Sequence, residues 1–398
     1  MRGRFAPSPT GDLHLGGART ALCAWLSARK SASSFVLRVE DLDRPRCSAR
    51  AETSILSDIR FLGLDWDEGP DVGGPHAPYR QSERSARYAE VRDRLLDEGR
   101  AFYCFCSRAE VARAAGAPHG PGDDGPRYPG TCRTLSPAEI AERMKTRSPS
   151  VRLRVDPERI DWIDEAHGAQ HEDVSQTVGD FVIARSDGVF AYQLAVVVDD
   201  ADMRIEEVVR GDDLSSSTAR QILLYRALGR GAPKFAHVPL VLGADGTRLS
   251  KRHGDIGLTA LRARGRSAPS IIGALAASLG LCEPGDQIHP RDLLSRFSFS
   301  SLPRAATVLD PACVQGNCVA PMAPSGVSVK PLDAGAVQVT FTGSAGAIYQ
   351  LQSSADFHGP WSDLAAVTAD DKGVCVYVDA DAANHPTRYY RALIPVAP

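Results

Sequence analysis

Arg4-Phe5-Ala6-Pro7-Ser8-Pro9-Thr10-Gly11-Asp12-Leu13-His14-Leu15-Gly16-Gly17-Ala18-Arg19-Thr20 is the stretch whose reading decides the fold. Phe5-Ala6 is a short apolar piece that can end a buried strand. Pro7 and Pro9 remove two backbone donors and stiffen the turn that follows. From Ala18 to Ala28 the pattern becomes helical, with Leu22, Trp25 and Leu26 on one face. Gly16 and Gly17 stand where that helix begins, so a ligand can approach bare backbone. A strand, a glycine-bearing turn and a helix N-terminus together form an anion site, because free N–H groups and the helix dipole point outward. His14 lies in the turn and can donate to a phosphate oxygen. The bland alternative is a strand–turn–helix carrying a surface histidine.

At 398 residues the chain exceeds one ordinary domain. Its 43% hydrophobic and 24% charged content is that of a globular protein. No apolar run reaches membrane-spanning length and the first residues lack a secretory core, so a cytoplasmic protein is expected. The net charge of −3 argues against indiscriminate nucleic-acid binding. Residues 321–398, however, hold four basic and seven acidic side chains, which leaves the remainder balanced at 42 of each sign and able to carry a local basic track for RNA. Nine scattered cysteines are not a secreted disulfide framework. In a reducing compartment the close group Cys104, Cys106 and Cys132 reads better as a metal site.

Outward from the opening stretch, Ser34 to Val39 is a strand candidate. It ends in Arg38-Val39-Glu40-Asp41-Leu42-Asp43, and carboxylates at that end of an open α/β sheet face the ligand crevice. Glu40 is placed to bind an ammonium group, or else belongs to a solvated acidic turn. Residues 51–62 and 81–98 read as amphipathic helices, with Ile55, Ile59 and Leu62 apolar on the first and Tyr88, Val91 and Leu95 on the second. Cys104 and Cys106 then face Cys132 across a Gly/Pro-rich loop, a spacing that suits tetrahedral zinc. The fourth ligand stays open; chemistry alone favours His119, since imidazole is the usual partner of three thiolates. Plain buried cysteines are the alternative.

Residues 137–147 are expected to be helical, and 151–155 with the stretch to Val178 to form short strands. Asp180 to Arg185 and the apolar run Ala191 to Asp200 read as successive strands, the latter buried. A short strand, 206–210, ends at Arg210, which can fork onto a carboxylate or pair with Asp212 or Asp213. After the strand His237 to Leu242 comes Gly246-Thr247-Arg248-Leu249-Ser250-Lys251-Arg252-His253-Gly254, a cationic turn beside the phosphate corner. Helices are expected at 271–279 and 290–297. The tail alternates apolar and polar residues between turns, a β-sandwich pattern.

Three of these segments, in order, resemble the class I aminoacyl-tRNA synthetases. His14-Leu15-Gly16-Gly17 resembles their "HIGH" signature, Arg38 to Asp43 the "RxEDxD" segment of the glutamyl branch, and Arg248 to Arg252 the "KMSKS" loop. In that loop Arg248 replaces the first lysine and Arg252 the final serine, while Lys251 keeps the second lysine. Cys104, Cys106, Tyr128 and Cys132 match the Cys-x-Cys…Tyr-x3-Cys site of the glutamyl-queuosine tRNA(Asp) synthetases, so the resemblance favours Tyr128 over His119. It implies an α/β fold: a Rossmann-like parallel-sheet domain in two halves, 1–100 and 179–255. A zinc-bearing insertion at 101–178 would interrupt it. A helical segment at 256–310, a linker at 311–324 and a β-rich domain at 325–398 would follow.

The resemblance further implies glutamate binding by Arg4, Phe5, Ala6, Pro7, Ser8, Glu40, Tyr192 and Arg210. ATP would be held by His14, Gly16, Gly17 and Lys251, with Mg2+ accompanying it and Zn2+ on the cysteines; His14 and Lys251 are the expected catalytic groups. The implied activity is tRNA-independent activation of glutamate, then its transfer to queuosine at the wobble position of tRNA(Asp). The alternatives are a shortened glutamyl-tRNA synthetase charging tRNA(Glu) and a catalytically silent nucleotide-binding paralogue. No partner is assigned to the tail.

Overall fold

A computed structural model of the chain describes residues 2–115, 127–242, 257–308, 324–343, 347–357 and 359–393. It opens with strand β1 (Gly3–Phe5), helix α1 (Leu15–Lys30) and strand β2 (Phe35–Leu37), which runs parallel to β1. The apolar face expected for α1 is its buried face: Leu22, Trp25 and Leu26 are all fully buried. The Trp25 indole N–H, too costly to bury unpaired, donates to Asp65 Oδ1 at 2.7 Å. Trp25→Ala is expected to cost ~3–5 kcal/mol, read as a lower urea midpoint at unchanged slope.

Helix α2 (Ala49–Phe61) is capped by Ser48, whose hydroxyl accepts from the Ala51 amide, and it buries Ile55 and Ile59. Helix α3 (Ser85–Asp97) buries Tyr88, Val91 and Leu95. Strand β3 (Ala101–Cys104) then leads into helix α4 (Arg108–Ala115). Helix α5 (Pro137–Met144) begins at a reciprocal Ser136–Glu139 capping box, with proline in its first turn. Strand β4 (Ser150–Leu153) pairs antiparallel with β3, while β5 (Ile160–Asp164) and β6 (Gly168–Glu172) form a hairpin. After the single-turn helix α6 (Val174–Thr177), β7 (Val182–Ala184) completes the antiparallel sheet β3-β4-β7.

The run Ala191–Asp200 is not the strand expected from its sequence: helix α7 spans Tyr192–Asp202. Leu194 through Val198 are all buried, so every side of the segment is covered, and a continuous apolar run cannot by itself separate a buried helix from a buried strand. Strand β8 (Glu207–Gly211), helix α8 (Thr218–Ala227) and strand β9 (Lys234–Val238) follow. They complete a six-stranded sheet in the order β2-β1-β8-β9-β5-β6, in which only the β5–β6 pairing is antiparallel. The hairpin β5–β6 thus lies on the edge of the sheet that β1 begins.

Alternate residues of the strands enter different cores. Phe35, Leu37, Val209 and Val238 join α1 on one face; Val36, Val208 and Phe235 join α3, α7 and α8 on the other. Strand β10 (Val241–Leu242) ends the described chain before residue 257. Helices α9 (Leu258–Ala263) and α10 (Ala268–Ala277) follow, α10 packing on the α1 side. The helix expected at 290–297 is only one 3-10 turn, Pro290–Leu293, where the proline removes a donor. Strand β11 (Thr307–Val308) pairs with β10. The linker expected at 311–324 lies, apart from residue 324, outside the described residues.

The tail is β-structured, as its alternation predicts. Strands β12 (Ser325–Pro331) and β13 (Val337–Thr342) precede β14 (Ile348–Ser354) and β15 (Ser362–Thr368). Strands β16 (Val374–Asp379) and β17 (Tyr389–Leu393) close it. They form two antiparallel sheets, β12-β13-β16 and β15-β14-β17, around Val339, Phe341, Tyr349, Leu351 and Cys375. Among the described residues no helix is long and apolar enough to cross a membrane.

Candidate active site

Adjacent strands of the parallel sheet deliver their carboxyl ends to one place, and the chain beyond them stays in register. The Arg38 amide donates to the Phe5 carbonyl and the Glu40 amide to the Pro7 carbonyl, both at 3.0 Å. The Phe5-Ala6-Pro7-Ser8 segment after β1 therefore runs beside the Glu40 segment after β2, with Ser8 exposed. Arg4 is buried and donates to the Val209 carbonyl at 2.9 Å. Its Nε, also buried, finds no hydrogen-bond partner and lies 3.7 Å from Asp200 Oδ1.

Glu40 accepts from Arg38 at 3.0 Å. Burial raises its pKa, while the guanidinium of Arg38 works in the opposite direction. Arg38 is itself fully buried, bonded to Asp200 at 2.5 Å and 3.6 Å from Asp199. Asp199 also accepts from Gln81, Arg84 and the Tyr88 hydroxyl. Tyr192 opens α7, and its hydroxyl pKa is raised by burial and by Glu40, with Arg210 and Arg4 also close enough to act on it. Arg4, Glu40, Tyr192 and Arg210 are thus brought together.

Arg210 is bonded to three neutral side chains. Its Nε donates to His237 Nε2 at 2.9 Å and its terminal nitrogens to Gln221 Oε1 at 2.7 Å and Thr218 Oγ1 at 2.9 Å. A buried guanidinium surrounded by neutral acceptors keeps its charge available to an anion. His237 in turn holds Asp164 Oδ2 through Nδ1 at 2.5 Å.

The phosphate corner lies at the same end of β1. His14 is the N-cap residue of α1 and contributes no side-chain cap. The first intrahelical bond runs from Ala18 N–H to the His14 carbonyl, so the amides of the first turn have no partner within the helix. A side chain at Gly17 would strike Leu13 at 2.9 Å, whereas one at Gly16 would only touch Val241. The described chain on both sides of 243–256 rests here, since Gly257 pairs with His14 and Val241 lies against Gly16. Lys251, with Arg248 and Arg252, lies outside the described residues.

At the other site, Cys104, Cys106 and Cys132 bring their sulfurs within 4.8 Å of one another. The Cys106–Cys132 separation is 3.6 Å, close to the ~3.8 Å that two thiolates span on tetrahedral zinc. Tyr128 joins them: its hydroxyl donates to Cys104 Sγ at 3.4 Å and accepts the Cys132 amide at 2.8 Å. The Arg152 guanidinium lies 3.9 Å from the Tyr128 ring centre. Burial pushes the Cys104 thiol up, but the Tyr128 hydrogen bond and the Arg152 charge bring it below its ordinary value. Three soft thiols and one hydroxyl in a small apolar cluster can hold a metal ion. His119 lies outside the described residues.

Reading the sequence missed Arg38, Asp164, Asp199, Asp200 and His237 as parts of the site. The signals were Arg38 inside the "RxEDxD" segment, to which no role was given, and two aspartates closing an apolar run that read as a strand. A cavity of about 790 Å³ lies elsewhere, between α2 and α9, where Arg262 is tied to Asp58.

A model of the catalytic domain of class I tRNA synthetases (E and Q) matches residues 1–279. The chain is 51% identical over 303 residues to a glutamyl-Q tRNA(Asp) synthetase of Symbiobacterium thermophilum, covering 76% of this chain and 94% of that protein. It is 44% identical to a glutamate–tRNA ligase of Heliobacterium modesticaldum, of which it covers 63%, with 78% of this chain matched. The crystal structure of a glutamate tRNA ligase from Elizabethkingia meningosepticum, in complex with its amino acid, superposes with a TM-score of 0.69 at 30% identity, covering 79% of this chain and 68% of that one.

Proposed function

Because the chain belongs to the class I tRNA synthetases (E and Q), we propose that it activates glutamate with ATP and passes the acyl group to queuosine at the wobble position of tRNA(Asp). The observation that carries this reading is the grouping of Arg4, Glu40, Tyr192 and Arg210 at the carboxyl ends of β1, β2 and β8, where Arg4 reaches the Val209 carbonyl and Asp200, and Arg38 joins Asp200 to Glu40. Two arginines and one carboxylate suit an amino acid with two carboxylates and one ammonium.

Arg4 and Arg210 take the carboxylates, Glu40 the ammonium, and Ser8 and Tyr192 the polar edges. Phe5, Ala6 and Pro7 form the backbone wall. A glutamate α-carboxylate oxygen attacks the α-phosphorus of ATP and pyrophosphate leaves. A hydroxyl of the queuosine cyclopentenediol then attacks the activated carbonyl and AMP leaves. No protein nucleophile takes part; the side chains position the reactants and stabilise developing charge. His14, Gly16 and Gly17 cradle the phosphates, and Lys251 neutralises the leaving pyrophosphate. Mg2+ accompanies ATP. Cys104, Cys106, Cys132 and Tyr128 would hold Zn2+, which ties the end of β3 to the 127–132 turn.

The acceptor is favoured by coverage: the chain spans 94% of a glutamyl-Q tRNA(Asp) synthetase but 63% of a glutamate–tRNA ligase. The tail that follows is antiparallel β. Incubation with ATP, labelled glutamate and separate tRNA pools tests the reading. Label is expected on tRNA(Asp) carrying queuosine, and neither on tRNA(Asp) lacking it nor on tRNA(Glu). Label on tRNA(Glu) alone rejects the acceptor, and absence of glutamate-dependent ATP–pyrophosphate exchange rejects the activity.

A further inference from the structure

We propose that Asp164 and His237 are positioning residues for the amino-acid site: Asp164 fixes the tautomer of His237, and His237 aims the guanidinium of Arg210. The proposal rests on the reading above, in which Arg210 takes a glutamate carboxylate.

The three side chains form a buried line across three strands. Asp164 ends β5 and is 1% exposed, His237 lies on β9 and is 1% exposed, and Arg210 lies on β8 and is 4% exposed. A carboxylate can only accept, so the 2.5 Å contact from His237 Nδ1 to Asp164 Oδ2 places the proton on Nδ1. In the neutral ring Nε2 is then an acceptor, which is what the Nε–H of Arg210 requires at 2.9 Å. The other tautomer, or the imidazolium, would set one N–H donor against another. Burial, with Arg210 beside the ring, lowers the His237 pKa and keeps the ring neutral. The ring also lies parallel to Phe235, at 6.4 Å between centres, which fixes its plane.

The two oxygens of Asp164 have different duties. Oδ1 accepts the backbone amides of Ala166 and His167 at 3.0 Å and of His237 at 3.3 Å. Only Oδ2 meets the imidazole. Asp164→Asn therefore keeps its carbonyl on the turn amides and turns its NH2 toward Nδ1. The lone pair moves to Nδ1, the proton to Nε2, and the contact with Arg210 is lost while the turn is kept. The strand pair β5–β6, which joins the sheet beyond β9, would in this way reach the amino-acid site two residues removed.

The test is ATP–pyrophosphate exchange by the full chain at varied glutamate and varied ATP. Asp164→Asn is expected to raise the glutamate KM by tenfold or more, with kcat and the ATP KM within threefold of wild type and an unchanged melting temperature. The decisive variant is the double substitution Asp164→Asn/His237→Gln. The glutamine carbonyl can accept from Arg210 and has no tautomer to flip, so the double variant is expected to bind glutamate better than Asp164→Asn alone. A merely structural Asp164 predicts the reverse, two losses that add. An unchanged glutamate KM in Asp164→Asn, an equal rise in the ATP KM, or a double variant no better than the single one overturns the proposal alone. A wild type without glutamate-dependent exchange overturns the underlying reading and the proposal with it.

Discussion

Arg210→Ala is expected to raise the glutamate KM by about 30-fold to a few thousand-fold while leaving the ATP KM within about threefold. The range follows from the ~2–5 kcal/mol carried by one member of a buried, hydrogen-bonded charge pair, at 1.4 kcal/mol per factor of ten. Arg210 is buried and bonded to the neutral atoms of His237, Gln221 and Thr218, so its removal takes away a charge that these partners leave unneutralised. The same removal leaves those three partners unsatisfied, which makes a control necessary. Arg210→Lys keeps the charge but not the planar fork, and is expected to fall between wild type and alanine in KM. Circular-dichroism melts separate loss of substrate binding from loss of fold. Glutamate activation by a folded Arg210→Ala protein with wild-type KM would remove Arg210 from the amino-acid site.

The second large effect is expected at the cysteine cluster. Protein grown with zinc should hold about one ion per chain, and Cys106→Ser should hold almost none, as read by elemental analysis. Three thiols within 4.8 Å and the Tyr128 hydroxyl supply the donors, and a single substitution leaves too few for a closed tetrahedral site. Structural zinc contributes apparent binding free energies of about 10–16 kcal/mol in small zinc-dependent peptides. Here β3 is also held by β4, which β7 backs on its other side, so the loss should appear locally. Faster amide exchange in β3 and in the 127–132 turn, with little change around α1, is the expected pattern. A wild-type protein that takes up no zinc on titration, at a pH where the thiols can ionise, would return these residues to an ordinary buried cluster.

The two sites differ in how much the sequence disclosed. Around α1 the periodicity was enough: Leu22, Trp25 and Leu26 share a helical face, and the structure buries all three. The cysteines were legible because soft ligands at close spacing have few other readings. The tail was legible as strands because alternation with period two has no helical equivalent. α7 was not legible, because Leu194 to Val198 are buried on every side and a uniformly apolar run carries no period. That error had a consequence. Asp199 and Asp200 read as the last residues of a buried strand, whereas at the end of helix α7 they hold Arg38, and Asp200 approaches Arg4.

The order of residues by itself determined the glycine corner at the start of α1 and the β character of the last segment, since each depends on neighbours within a few positions. Only the tertiary structure decided which strands lie side by side, and therefore that Asp164, Arg210 and His237, far apart in the chain, form one buried line. Pairing across a sheet is set by the burial of both its faces, and no local pattern carries that information.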